Sequence, residues 1–306
     1  MPIRFKSYVQ LLIIFVGLIS CNTENLNTKF KNIDGFSQDV NLKVEKFLLE
    51  TENHKGRKIA VFDGDGTVLG QVPHYLADEC LYTFAENNPD RRSLLIDSMK
   101  TQSNVSLQYV QNRVHFMSGD SLVYWRKIGN EFFTKHYSNK IYLPMKELIR
   151  QLKQNNFEIW IITASPEAMY QQFLSESLNI PITNIIGVKS VISNGLITDQ
   201  IILPVPQDHG KKDAIESFVQ ERPLLSVGNS RGDKEMIEYA SKLHMIINPD
   251  GHIAQDQTES IAEYARKNGW AIVKINDVSS DDSPSISSKK FGVRLNSEHI
   301  IDHENK

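Results

Sequence analysis

Lys58-Ile59-Ala60-Val61-Phe62-Asp63-Gly64-Asp65-Gly66-Thr67 is the stretch from which the rest of the chain can be read. Its first five residues are nearly all apolar and do not alternate. A strand covered on both faces needs that pattern, and such strands belong to parallel sheets. The run then stops at two carboxylates one residue apart, followed by glycine and threonine. Packing has no use for so much negative charge in one place. A hard cation held by oxygen would relieve it, and magnesium keeps positions that a phosphate can occupy.

Three further runs have the same form: Glu158 to Thr163, Pro223 to Asn229 and Leu243 to Asn248. Each ends in small or polar residues. Between them, helical spacing runs over Met145 to Gln154, Glu167 to Leu178, Lys211 to Val219 and Asp233 to Ala240. Alternating β and α elements predict an α/β fold, a doubly wound parallel sheet that binds ligands beyond the carboxyl ends of its strands. Residues 71–142 interrupt the alternation after the first strand with several helices and no convincing strand, as a cap would. Val191 to Thr198, centred on Asn194-Gly195, predicts a small hairpin.

Other folds could use the same acidic loop. A calcium EF-hand would need glycine and glutamate where Val68 and His74 stand, so that reading fails. Gly64, Gly66 and Gly70 approximate a dinucleotide fingerprint, but Asp65 between them would repel a pyrophosphate. A solvated acidic turn is the plain alternative, and the other strand ends bear on it.

With those ends included, the chain resembles the haloacid dehalogenase superfamily. Asp63, Asp65 and Thr67 match its first motif, and Ile159 to Pro166, with Thr163 at the strand end, its second. Gly210-Lys211-Lys212 matches the third, and Gly228-Asn229-Ser230-Arg231-Gly232-Asp233 the fourth. The resemblance extends over about residues 58–248 and implies a Rossmann-like core with a helical cap inserted after the first strand. It also implies a Mg2+ cofactor held by Asp63, the Asp65 backbone carbonyl, Asn229 and Asp233. Asp63 would be the nucleophile that takes the phosphoryl group, and Asp65 the general acid and base. An acid at the second position points to phosphatases and mutases, away from dehalogenases and ion pumps.

Thr163 and Lys211 would bind the phosphoryl oxygens. Helical spacing puts Lys211 on the face of Ala214, Ile215 and Phe218 and turns Lys212 toward Glu216, so Lys211 is the expected inward cation. Ser165 before Pro166 reads as a helix cap. The fourth motif departs from the commoner pattern, because Asn229 stands where an aspartate is usual. An amide oxygen still ligates magnesium, with one less charge. The Gly-Asn-Ser-x-Gly-Asp form resembles the phosphoserine and phosphorylcholine phosphatase branch. A phosphotransferase or mutase with the same aspartyl-phosphate, or an inactive binding lipoprotein, are the alternative functions.

Substrate recognition is expected from the insertion, where His74, Arg113, Trp125 and Arg126 are the candidates. Arg113 stands where the phosphoserine-type cap supplies an arginine for a substrate carboxylate. Tyr75, Tyr109, Tyr124 and Trp125 could form a cage for a quaternary ammonium, though their spacing also suits core packing. Cys80, in the pattern Leu76, Ala77, Cys80, Leu81, Phe84, reads as a core residue.

At the amino end, Arg4 and Lys6 precede the apolar run Leu11 to Ile19 and then Ser20-Cys21. The run is short for a membrane span and suits a signal peptide. Leu18-Ile19-Ser20-Cys21 resembles a lipobox, which implies lipidation at Cys21, export, and anchoring to a membrane on its periplasmic side. A signal anchor, or a secretory signal whose cysteine falls there by accident, is the alternative. The expected organisation is a signal at 1–21, a tether at 22–40, and a core at 41–70 and 143–275. The cap is expected at 71–142 and a partly flexible extension at 276–306.

The chain has 306 residues, 40% hydrophobic and 23% charged, with a formal net charge of -3. That balance suits a globular domain and offers no basic face for nucleic acid. The expected ligand is a small phosphorylated metabolite, and no protein partner is implied.

Overall fold

The computed structural model describes residues 30–253, 257–280 and 283–296. The lipidation reading at Cys21 lies outside them. Helix α1 (Gln38–Thr51) starts at Ser37, whose hydroxyl accepts from Val40 N, and leads into strand β1 (Lys58–Phe62). The insertion supplies α2 (Leu76–Asn87), α3 (Ser93–Met99), α4 (Leu107–Met117) and α5 (Leu122–His136). The core resumes with α6 (Leu143–Gln154), β2 (Phe157–Pro166), α7 (Glu167–Leu178) and β3 (Ile185–Val188). A hairpin, β4 (Ser190–Ser193) and β5 (Leu196–Ile201), follows, and then α8 (Gly210–Ala214), which runs on into a π-helical turn at Ile215–Val219. The last elements are β6 (Leu225–Gly228), α9 (Lys234–Tyr239), β7 (Leu243–Ile247), α10 (Ile261–Lys267), β8 (Ala271–Val273) and α11 (Ile286–Phe291).

The main sheet has the order β3-β2-β1-β6-β7-β8 and every pairing in it is parallel. The absence of alternation in β1 now has its cause. Ala60 and Phe62 join the large core that extends into the cap, while Ile59 and Val61 pack on the opposite side with Ala214, Ile215 and Met236. The chain steps from β1 to β2 and β3 on one side, then returns to lay β6 on the other. The switch in strand order therefore falls between β1 and β6, where a ligand crevice opens at the carboxyl ends. Asp63 N donates to Val227 O at 2.9 Å and fixes the first acidic loop against the end of β6.

The cap is held to the core by α5 lying on α7. Gly129 makes this approach possible, because a Cβ there would stand 2.0 Å from the Met169 carbonyl oxygen. Phe133 stacks on Phe173 with ring centroids 4.5 Å apart. The hairpin joins the cap through Gly119 N to Ile197 O and Ile197 N to Asp120 O, both 2.8 Å.

The tether expected over 22–40 does not extend through its described part. Ile33, Phe36 and Val40 are buried, and the Asn41 side chain accepts from Ile33 N at 2.8 Å and donates to Phe36 O. Three apolar residues among many polar ones are enough to dock this segment. The carboxyl-terminal extension is likewise packed over 283–296. The buried Glu79 carboxylate accepts from Ile286 N and Ser287 N, and Phe291 lies 4.8 Å from the Tyr82 ring. Serine-rich composition suggests flexibility, but here Ser287 helps to satisfy a buried carboxylate. Asp277, fully enclosed, accepts from Gln71 N and from Lys140 Nζ, and so ties together both chain crossings between core and cap. Among the described residues no helix is long and apolar enough to cross a membrane.

Candidate active site

The four polar strand ends and helix starts meet at one place. Asp63, Asp65, Thr163, Lys211 and Asn229 line one cavity of about 430 Å³, with Arg113 and Tyr75 facing it from the cap. Asp233 sits just behind, fully buried.

Lys211 Nζ donates to Asp63 Oδ1 at 2.6 Å and to Asp233 Oδ1 at 2.5 Å, which places it as the inward lysine. Lys212 pairs outside with Glu216. Burial alone would lower the Lys211 pKa, but the carboxylates of Asp233 and Asp63 outweigh it and keep the cation charged. Burial raises Asp63 to about 7, with Lys211 opposing the rise and Asp233 reinforcing it. Asp233 is also desolvated, yet Lys211 and the amides of Asn229 and Ser230 hold it below the usual carboxylate range. Thr67 Oγ1 donates to Asp63 Oδ2 at 3.2 Å.

The glycines of the first loop are steric necessities. Gly66 has φ +80°, and a Cβ there would lie 2.1 Å from Asn229 Nδ2. A Cβ on Gly64 would press on Thr163 Oγ1 at 3.0 Å.

The Asn229 amide stands 3.2 Å from both Asp63 Oδ2 and Asp233 Oδ2. Turned with its nitrogen inward it donates to both. Turned with its oxygen inward it completes three converging oxygens, an arrangement that a cation between them would stabilise. Among the described residues no group of three or more His, Cys, Asp or Glu side chains is placed to hold a metal, and at this site the Asn229 amide oxygen would add to the carboxylates of Asp63 and Asp233. The all-oxygen donor set suits a hard divalent cation of magnesium type.

Asp65 is oriented by two hydroxyls, one from the second motif and one from outside the motifs. Ser165 Oγ donates to its Oδ2 at 2.7 Å, and Tyr170 OH donates to its Oδ1 at 2.8 Å. Burial raises its pKa, and these two hydrogen bonds oppose the rise. Ser165 is therefore not a helix cap: α7 starts from Pro166 without a side-chain cap, and the serine hydroxyl is committed to Asp65. Thr163 Oγ1, at the cavity, accepts from Ser165 N at 3.1 Å.

Of the expected substrate residues, Arg113 alone reaches the cavity. Its Nε donates to Asp78 Oδ1 at 2.9 Å, and Tyr109 OH donates to the same oxygen at 3.0 Å. The guanidinium is buried, not solvated, and lies 4.9 Å from the Tyr109 ring. His74 points elsewhere: it is buried beside Glu79, with Nε2 3.0 Å from Ser288 Oγ, and braces the carboxyl-terminal segment. Trp125 packs in an aromatic cluster with Phe84 and Phe116, and Arg126 donates to Gln171. The four-aromatic cage does not form, since Tyr124 and Trp125 belong to that cluster, Tyr75 lines the cavity, and the Tyr109 hydroxyl is committed to Asp78. Cys80 is a free, buried thiol whose pKa burial pushes up.

Tyr170 and Asp78 escape a reading of the sequence. Tyr170 falls among core residues of α7, and Asp78 looks like an ordinary acid in the first turn of α2. Helical spacing could link Tyr109 to Arg113, but nothing local links either to Asp78.

Two solved structures share the fold. A protein of Anaerococcus prevotii DSM 20548 described as functionally unknown superposes with a TM-score of 0.60 at 13% identity, covering 85% of this chain and 98% of its own. One of unknown function from Bordetella pertussis Tohama I gives 0.57 at 15% identity, covering 72% and 99%. Among curated proteins, phosphoserine phosphatase SerB1 of Mycobacterium tuberculosis is 22% identical over 162 residues, 51% of this chain and 49% of that protein. This chain thus spans about half the length of the curated relatives it matches. The family model of the haloacid dehalogenase-like hydrolases matches residues 60–238, from within β1 to within α9, and so takes in every strand end that lines the cavity. The chain belongs to the haloacid dehalogenase-like hydrolases.

Proposed function

We propose that this protein is a magnesium-dependent phosphatase that hydrolyses a small phosphomonoester through an aspartyl-phosphate. The observation that carries the reading is the pair of buried carboxylates facing one cavity in different settings. Asp63 bonds to Lys211 and Thr67. Asp65 bonds only to hydroxyls. Two carboxyl groups in unlike surroundings can divide the work of nucleophile and acid.

In the first half-reaction an Asp63 oxygen attacks phosphorus and the bond to the leaving oxygen breaks. The Asp65 carboxyl passes its proton to that oxygen, and the free alcohol departs. In the second, water attacks phosphorus as Asp65 takes its proton, and the phosphorus bond to Asp63 breaks to release inorganic phosphate. Lys211 and the Thr163 hydroxyl neutralise and orient the phosphoryl oxygens. Magnesium, held by Asp63, the Asp65 carbonyl, Asn229 and Asp233, would supply positive charge to the phosphoryl group. Arg113 is the cation that the cap presents to the cavity, which favours a substrate bearing a carboxylate. The named activity of the SerB1 relative supports the same choice.

The amino-terminal pattern ending at Cys21 supports an exported, lipid-anchored protein facing the periplasm. Fatty-acid labelling that persists in Cys21→Ser would rule that out.

The test of the enzyme reading uses the detergent-solubilised full chain with Mg2+ and a broad panel of phosphomonoesters, phosphoserine included. Phosphate release is expected, lost on chelation and lost in Asp63→Asn with folding intact. Magnesium binding without release from any ester would sink the reading, and transfer to an added alcohol in preference to water would make the protein a phosphotransferase.

A further inference from the structure

Tyr170 lies in α7, outside the four motifs, and is completely buried. Its hydroxyl contacts two different parts of the molecule. Asp65 Oδ1 stands at 2.8 Å, and the backbone N of Ala77 at 3.2 Å. Ala77 belongs to the first turn of α2, in the cap, where helix amides have no partner within the helix. An amide N–H can only donate, and a phenol has one hydrogen. The direction of the relay follows: Ala77 N donates to Tyr170 OH, and Tyr170 OH donates to Asp65.

The other donor to Asp65, Ser165, comes from the carboxyl end of β2, and its hydrogen bonds to Asp65 and Thr163 stay within the core. The two supports of the Asp65 carboxylate thus differ. One belongs to the core whatever the cap does. The other is polarised by the cap amide, and successive hydrogen bonds strengthen one another. The residue after Ala77 is Asp78, whose carboxylate holds Arg113 at the cavity wall, so the same turn of α2 carries the relay and the cap's cation.

Resting on the phosphatase reading, we propose that Tyr170 is a positioning residue that couples docking of the cap to the orientation of the Asp65 acid and base. With α2 seated, the Tyr170 hydroxyl is fixed by Ala77 and locks the Asp65 carboxyl toward the leaving group. With α2 withdrawn, that lock loses its anchor. The acid is then set for proton transfer only when the cap that recognises the substrate is in place.

The test compares wild type, Tyr170→Phe and Ser165→Ala as full-length protein with Mg2+. Each is assayed on an alkyl phosphomonoester and on p-nitrophenyl phosphate, and hydrogen exchange is followed at the Ala77 amide. An alkoxide needs a proton to leave and a nitrophenolate hardly does. General acid catalysis contributes roughly 100-fold or more, so Tyr170→Phe should lower kcat/KM at least about tenfold more for the alkyl ester. Ala77 exchange should also quicken in Tyr170→Phe. Ser165→Ala should show the leaving-group bias without the exchange change. Equal slowing of both esters by Tyr170→Phe, or unchanged Ala77 exchange, overturns the coupling. A wild type inert on every ester of the broad panel removes the phosphatase reading and this inference with it, an outcome distinct from an active wild type whose variant shows no bias.

Discussion

Replacing Lys211 by methionine keeps most of the side-chain volume and removes the cation that Asp63 and Asp233 share. Its Nζ lies 2.6 Å from one carboxylate and 2.5 Å from the other, and all three groups are buried. Removing one partner of a buried ion pair costs roughly 3–5 kcal/mol, because the charge left behind is neither solvated nor paired. The penalty should depend on pH. In wild type the folded-state pKa of Asp63 is already raised to about 7, above its ordinary value of 3.8. A group raised on folding stabilises fully below its unfolded pKa and loses that contribution as pH rises through the folded one. Loss of Lys211 raises the Asp63 pKa further. Below about 7 both proteins carry a protonated Asp63 and differ little through it. Above that the variant falls behind, by about 1.4 kcal/mol for every tenfold by which the Asp63 carboxyl becomes a weaker acid. Urea unfolding in chelator at several pH values measures the gap, and Mg2+ should narrow it by replacing the missing charge. A penalty that stays constant with pH and is indifferent to Mg2+ would refute the electrostatic account and leave only lost packing of the lysine stem.

Asn229→Asp should tighten Mg2+ binding tenfold or more, about 1.4 kcal/mol by calorimetric titration, since it adds a carboxylate beside Asp63 and Asp233. The same change should destabilise the metal-free protein. Asp78→Ala should cost roughly 3–5 kcal/mol in urea unfolding, because it strands the buried Arg113 guanidinium; a loss under about 1 kcal/mol, the range of an exposed pair, would contradict that burial. Gly66→Ala should cost more than about 1 kcal/mol, since it meets both a positive φ and the Asn229 side chain. Unaltered stability and metal affinity in that variant would show that the loop relaxes freely.

The extent to which the site can be read from sequence follows the range of the interactions. Asp63, Asp65 and Thr67 are legible because a strand end confines them to one turn. Lys211 is legible because one helical face separates it from Lys212. The strands β3 and β8, four and three residues long, are not separately legible, since neither carries a site residue at its end to mark it. Arg113 is an expected contact and reaches the cavity, while His74, an equal candidate by sequence, turns to Ser288 and Glu79. A helical insertion has no fixed register against the core, so its sequence cannot say which side chains face inward.

The sequence by itself determined the parallel core and the acidic loop at its centre, because both rest on local patterns: apolar runs that must be buried, and charges that end them. Tertiary structure alone decided what surrounds that loop. Tyr170 and Ala77 meet across 93 positions of chain, and Asp277 and Gln71 across 206. Contacts so distant depend on how the cap and the carboxyl-terminal segment pack together, and no periodicity encodes that. They hold because each satisfies a buried polar group that would otherwise lose its hydrogen bond to water.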